Sequence, residues 1–174
     1  RIVFYAMLGT IVLPGVITLI PSYVMFSKFY HWNNTPLPLI LPGMCGSVMT
    51  MFFIYQFFLT LPGELNDAAR VDGMNWFGIF LKIILPLSKA VLITQIILSF
   101  AGAYNDYLGP LLYVGTVEKY KTLQLIIATI NTSQYVRHTY TMAGAVASML
   151  PVFILFAFTQ KYFVDGIVMT GLKG

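Results

Sequence analysis

Polar and charged positions are rare enough in this chain to act as punctuation. Three long runs carry no formal charge: Ile2–Ser27, Phe29–Gly63 and His138–Gln160. A helix needs about 20 predominantly apolar residues to cross roughly 30 Å of hydrocarbon. The first and third runs each supply one crossing, the latter from about Tyr140 to Phe163. The second supplies another, from about Leu39 to Leu59, together with a wet connector. A fourth candidate, Ile83–Tyr104, is interrupted only by Lys89 near one end, where an ammonium can snorkel to the interface. The pattern predicts an all-α polytopic membrane protein with about four spanning helices.

Within these spans, Pro14-Gly15 and Pro21 predict a kink or break in the first. Such a kink serves either helix packing or, in a transporter, a path through the bilayer. His31-Trp32-Asn33-Asn34-Thr35-Pro36 reads as a connector with an aromatic anchor at the water boundary. The second span is small in its first half (Pro42, Gly43, Gly46, Ser47), which lets another backbone approach. Between Tyr104 and Arg137 the pattern is mixed and predicts a loop with one short interfacial or re-entrant helix around LQLIIATI. The last span carries Pro151, and the glycines at 166 and 171 predict a flexible tail.

Composition agrees with the pattern. The chain is 58% apolar and 9% charged, with a mean hydropathy of +0.80, whereas about 25% of residues are charged in soluble domains. That excludes an ordinary soluble core. The ten basic residues are scattered, which argues against nucleic acid. The single Cys45 excludes an internal disulfide framework and reads as a small packing residue. The chain opens on Arg1 with no cleavable leader pattern ahead of the first run, so it reads as a fragment lacking its front part. With four spans, both ends share one face. Placing Glu64–Ala90 on that face gathers Arg1, Arg70, Lys82, Lys89, Lys161 and Lys173 there, against Lys28, Lys119, Lys121 and Arg137 opposite. The excess of positive charge marks the first face as cytoplasmic.

One stretch breaks the oily pattern. Of the sixteen charged residues, six (Glu64, Asp67, Arg70, Asp72, Lys82, Lys89) fall in ELNDAARVDGMNWFGIFLKIILPLSKA, Glu64–Ala90. Thr60 reads as a cap and Pro62 suits a first turn, while Glu64 and Asp67 complement the positive helix end. Asp67 and Arg70 are spaced to pair, and Gly73 fits a left-handed C-terminus. Asn75 caps a second short helix that Pro86 limits. Ala68 and Ala69 leave a shallow face. From the residues alone, two readings stand: a solvated loop, or a helix that inserts into a partner's cleft.

The spacing Asp67-Ala68-Ala69, three residues, Gly73, nine residues, Ile83, one residue, Leu85-Pro86 resembles the "EAA" signature of inner-membrane subunits of binding-protein-dependent ABC importers. LPGELNDAARVDG, LPGVITLIPSYVMFSK, SFAGAYNDYLGPLLY and QKYFVDGIVMTGLKG are similar to segments of the maltose-type, carbohydrate-uptake branch. The resemblance implies a type I importer permease core over residues 1–174, with two of six spans in the missing front. It makes residues 60–86 a cytoplasmic coupling loop whose Glu64, Asp67, Ala68, Ala69, Asp72 and Gly73 dock in a groove of the ATPase. Asp67 stands where the signature usually has Glu, one methylene shorter. The implied partners are a second permease, two cytoplasmic ATPase subunits that hold ATP and Mg, an extracytoplasmic solute-binding protein and the lipid membrane. This chain itself has no GxxxxGK[ST] motif for nucleotide and no implied cofactor. By the same resemblance, the C-terminal tail reaches between the ATPases.

For the path, Ser99, Gly102, Ala103 and Asp106 recur at helical spacing. The matching positions in the partner subunit of maltose-type transporters contact sugar, and the resemblance adds Gly46 and Met49. A carboxylate at mid-bilayer is costly, so Asp106 faces water, a cavity or a partner; the alternative places it in the outer headgroup zone with Gly102-Ala103 as a packing notch. Tyr104, Tyr107 and Tyr113 suit either sugar stacking or a membrane-edge belt. His31 and His138 lack metal-ligand spacing, and no nucleophile–base arrangement suggests catalysis. Beside a carbohydrate importer, the residues leave open an importer of another solute and an ion-coupled carrier or channel.

Overall fold

Every regular element among the described residues is helical. The computed structural model describes residues 2–132 and 138–171, with side chains described over 2–130 and 138–160. Arg1, Arg137 and Lys173 of the charge balance lie outside the described residues.

The first apolar run is broken where its sequence requires. Helix α1 (Ile2–Gly9) tightens into a 3₁₀ turn over Thr10–Val12, and α2 (Gly15–Val24) continues as a π turn over Met25–Phe29. The ring of Pro14 disfavours helical backbone at the preceding residue. Leu13 is accordingly extended (φ −74°, ψ 119°), and the two halves meet at 97°. Pro21, by contrast, is carried inside α2.

The second span is formed by α3 (Leu37–Met44) and α4 (Val48–Thr60), which together cover 24 residues. Gly46 lies between them at φ +84°, a backbone region that a side chain would strain. Cys45, read as a small packing residue, is the C-cap of α3 and is exposed at this junction.

The charged module is two short helices: α5 (Glu64–Val71) and α6 (Trp76–Ile79), the latter continuing through a π turn, Phe80–Ile84, into α7 (Leu85–Leu87). Thr60 does not cap α5. It ends α4, with its hydroxyl donating to the Phe57 carbonyl at 2.7 Å, and Gly63 occupies the cap position. Pro86 does not end the second helix either, because a proline in the first turn of α7 loses no needed donor. The break falls at Ser88. Its hydroxyl and amide both bond the Ile84 carbonyl, at 2.7 and 2.9 Å, and α8 (Lys89–Asn105) leaves at 70°. The predicted third span, Ile83–Tyr104, is therefore bent at Ser88.

Beyond α8 the single predicted interfacial helix is two: α9 (Leu108–Val114) and α10 (Leu123–Thr132), separated by a 3₁₀ turn at Glu118–Tyr120. Gly109-Pro110, read as a loop signal, sits in the first turn of α9, where proline is tolerated. Helix α11 (His138–Gly171) runs through Pro151 and through Gly166, the first of the two glycines that predicted a flexible tail, and reaches the second. Isolated glycines weaken a helix by only about 1 kcal/mol each, too little to end one of this length.

By length and composition, Leu37–Thr60 and His138–Gln160 are each able to cross a membrane. The two bent pairs, Ile2–Val12 with Gly15–Phe29 and Trp76–Leu87 with Lys89–Asn105, bring the number to four if each is one span.

The chain divides into two units. The first comprises Arg1–Val48 and Phe100–Ile154. Its centre is an aromatic cluster in which Trp32 stacks on Phe26 and Tyr30, and Tyr113 meets Phe26 and Tyr23. The connector after α2 is fastened there. Asn34, at φ +61°, donates its amide to the Tyr113 carbonyl at 2.9 Å and accepts from the Thr116 hydroxyl at 2.7 Å. The second unit comprises Met49–Ser99 and Leu155–Gly174. Among the described side chains, Phe57, Ala69, Ile79, Ser88, Gln95 and Ile97 are its buried ones.

Candidate functional site

The polar helix α5 is closed by a turn that only its sequence pattern allows. Gly73 adopts φ +78°, donates to the Arg70 carbonyl at 3.0 Å, and lets Met74 donate back to the Ala69 carbonyl at 3.0 Å. These are the paired bonds of a Schellman cap, and the left-handed residue between them favours glycine. Two residues after Gly73, the Asn75 side chain accepts from the Gly78 amide at 2.7 Å and starts α6, as its position predicts. The turn between α5 and α6 is therefore fixed at both ends by main-chain donors.

The two alanines have different environments. Ala69 is 3% exposed, whereas Ala68 lies on the open surface with Glu64, Asp67 and Asp72. Glu64 and Asp67 stand in the first turn, where carboxylates complement the positive end of a helix. Arg70 does not pair with Asp67. Its guanidinium carbon sits 4.9 Å from the centre of the Trp76 ring, where a planar cation gains from the indole face. Beneath α5 an apolar groove of about 140 Å³ is walled by Phe58, Leu61, Leu65, Ile83, Ile84 and Leu87. Ile83 of the sequence signature thus underlies the helix that the Asp-Ala-Ala triplet builds.

The path candidates are distributed differently from their spacing. Ser99, Gly102 and Ala103 lie on α8 and are exposed. Asp106 lies beyond its end and accepts from the Gly109 amide at 3.2 Å, which secures the start of α9. Gly46 forms the left-handed junction before α4, and Met49 is exposed in the first turn of α4. Gly46, Gly102, Ala103 and Asp106 belong to the first unit, Met49 and Ser99 to the second.

Two cavities bring in residues that spacing did not single out. Within the second unit, Ser99 lines an open, largely apolar cavity of about 400 Å³ with Thr50, Ile54, Leu92, Gln95 and Ile96. Gln95 stands one helical turn before Ser99, the signal that identifies it in retrospect. Within the first unit, Asn105, Gln124, Ser148 and Phe153 line a cavity of about 350 Å³, where the Gln124 amide donates to Asn105 at 3.3 Å. No local pattern joins residues 105 and 124. Of the three tyrosines, Tyr113 is buried; burial first, and the neighbouring Tyr23 second, push its phenol pKa above the usual value.

The sequence pattern of one protein family, the binding-protein-dependent transport system inner membrane component, matches residues 1–168. An arabinooligosaccharides transport system permease protein of Halalkalibacterium halodurans is 35% identical over 98% of this chain and 60% of its own length. A maltodextrin transport system permease protein of Bacillus subtilis is 33% identical over 91% of this chain and 60% of its own. An sn-glycerol-3-phosphate transport system permease protein of Shigella flexneri is 31% identical over 95% and 58% respectively. The chain therefore spans about three fifths of the length of these relatives.

Proposed function

The chain belongs to the family of binding-protein-dependent transport system inner membrane components, and on that premise we propose that it is a permease subunit of an ATP-driven importer of carbohydrates. In this reading a second permease subunit completes the path, and an extracytoplasmic binding protein delivers the solute. Two cytoplasmic ATPase subunits hold ATP and Mg. Helix α5 is the coupling helix: Glu64, Asp67, Ala68 and Asp72 face the ATPase, Ala69 seats the helix on its own subunit, and Gly73 sets its angle. The module and the C-terminus lie in the cytoplasm of a bacterial or archaeal cell. Gly46, Met49, Ser99, Gly102, Ala103 and Asp106 remain the proposed path residues. Carbohydrate is favoured because relatives are named for arabinooligosaccharides and maltodextrin.

The observation that carries this reading is the Schellman turn at Gly73, which presents a polar helix in a fixed pose next to an apolar groove. A rigid helix is what transmits closure of one subunit to the spans of another. The test is solute-stimulated ATP hydrolysis by the complete complex in liposomes, wild type against Gly73→Pro. Proline is fixed near φ −65° and cannot take +78°. Loss of stimulation or assembly, with the spans still inserted, is the expected result. ATP-driven transport at the wild-type rate would overturn the role of α5, and transport driven by an ion gradient alone would overturn the importer.

The sn-glycerol-3-phosphate relative supports a second reading, a phosphorylated polyol as solute. Calorimetry on the cognate binding protein with neutral and phosphorylated polyols decides between them.

A further inference from the structure

The segment after the coupling turn has two unlike sides. Ile79 and Ser88 are fully buried, whereas Trp76 and Phe77 are 67% and 68% exposed, and Phe80, Leu81, Leu85 and Leu87 are exposed with them. Such a surface is too apolar for a helix bathed in water. Its position says what covers it. Helix α8, the 17-residue half of the bent pair that is long enough to cross most of the hydrocarbon, starts one residue after Ser88; taken as the crossing half, it leaves the segment before it at the level where hydrocarbon gives way to water. A helix bent 70° from a span lies within about 20° of the membrane plane when that span stands along the normal. The charges fit the same place. No acidic residue occurs between Met74 and Asn105, and the cations there are Lys82 and Lys89. Lysine stems run along apolar surface while their heads reach anionic headgroups.

We propose that Trp76–Leu87 is an interfacial helix, seated in the lipid leaflet next to the coupling helix by Trp76, Phe77, Phe80 and Leu81. That this leaflet is the cytoplasmic one rests on the orientation given under the proposed function. The membrane then serves as the second support of the lever. Arg70, stacked on Trp76, joins the water-facing α5 to the lipid-facing segment. Polar α5 is the side offered to a protein partner, and the apolar segment behind it is the side offered to lipid.

The test is electron paramagnetic resonance on the full-length permease in its reconstituted complex, with native cysteines replaced and a nitroxide at Phe77→Cys, Leu81→Cys or Val71→Cys. Val71, on α5, is 88% exposed and serves as the water-facing reference. Power saturation with oxygen and with a water-soluble nickel chelate reads depth. Labels at 77 and 81 are expected to be relaxed more by oxygen than by nickel, at a depth of about 5–10 Å below the headgroup boundary. The label at 71, read after the ATPase is removed, is expected to show the reverse order. Nickel-dominated relaxation at 77 and 81 would overturn the proposal in favour of a solvated helix. Shielding from both reagents that disappears when the ATPase is removed would overturn it in favour of a protein interface. A Gly73→Pro permease separates this idea from the coupling role, since the depth at 77 is expected to persist there even if ATP hydrolysis uncouples.

Discussion

The hydroxyl of Thr116 donates to the side-chain carbonyl of Asn34 across 82 positions of sequence, at 2.7 Å. This contact and the Asn34 amide bond to the Tyr113 carbonyl tie the connector after α2 to the end of α9. Removing the donor with Thr116→Val is expected to cost about 0.5–1.5 kcal/mol of stability. Asn34→Gly keeps the positive φ and loses the same bond. A double-mutant cycle by thermal unfolding in detergent should therefore be non-additive, the pair together costing little more than either alone. Simple additivity would mean that the bond contributes nothing.

Ala68 and Ala69 separate folding from docking. Leucine at buried position 69 is expected to overpack and destabilise by about 1–3 kcal/mol. Leucine at exposed position 68 is expected to leave stability within about 0.5 kcal/mol of wild type but to abolish co-purification of the ATPase. Unchanged assembly with Ala68→Leu would remove that face of α5 from the interface.

Asp106 is both a proposed path residue and the acceptor that secures the start of α9. Asp106→Ala is expected to lower stability by about 1 kcal/mol, as the loss of a helix cap does, while Asp106→Asn retains the acceptor. If the solute also touches this carboxylate, Asp106→Asn raises the half-saturating solute concentration without moving the melting temperature. A wild-type transport profile for Asp106→Asn would leave the residue its capping role alone.

Tyr113 sets a pH limit on the aromatic cluster. Its phenol is neutral in the fold, and burial followed by Tyr23 raises its pKa there. The stability this group contributes is therefore constant below the ordinary tyrosine value of about 10 and declines as pH rises from there through the raised value. Tyr113→Phe is expected to show a shallower alkaline loss of stability than wild type. Parallel profiles for the two proteins would contradict the shift.

Much of this architecture could be read from local signals. The uncharged runs gave the spans, Pro14-Gly15 gave the break, and Gly73 and Asn75 gave the ends of α5 and α6, because each acts on its own backbone within a few residues. Ser88 escaped notice because the nearby Pro86 is the louder signal. A serine that doubles its bonds to one carbonyl has no distinctive spelling. The continuation of α11 through Gly166 reflects a small local penalty outweighed by a long apolar helix. Contacts such as Asn34 to Thr116 and Asn105 to Gln124 depend on where distant helices come to rest, which no local pattern encodes.

The turn that ends α5 is made of peptide groups on both sides of Gly73. Both of its bonds join backbone groups, so no ionisable side chain has to be charged to make them. The face of the helix is thus free to vary while the pose stays fixed. Under the proposed coupling role, this lets Asp67 stand where the resemblance calls for a longer carboxylate, and a subunit built this way can be matched to a different ATPase by changing a few surface charges, with no redesign of the joint.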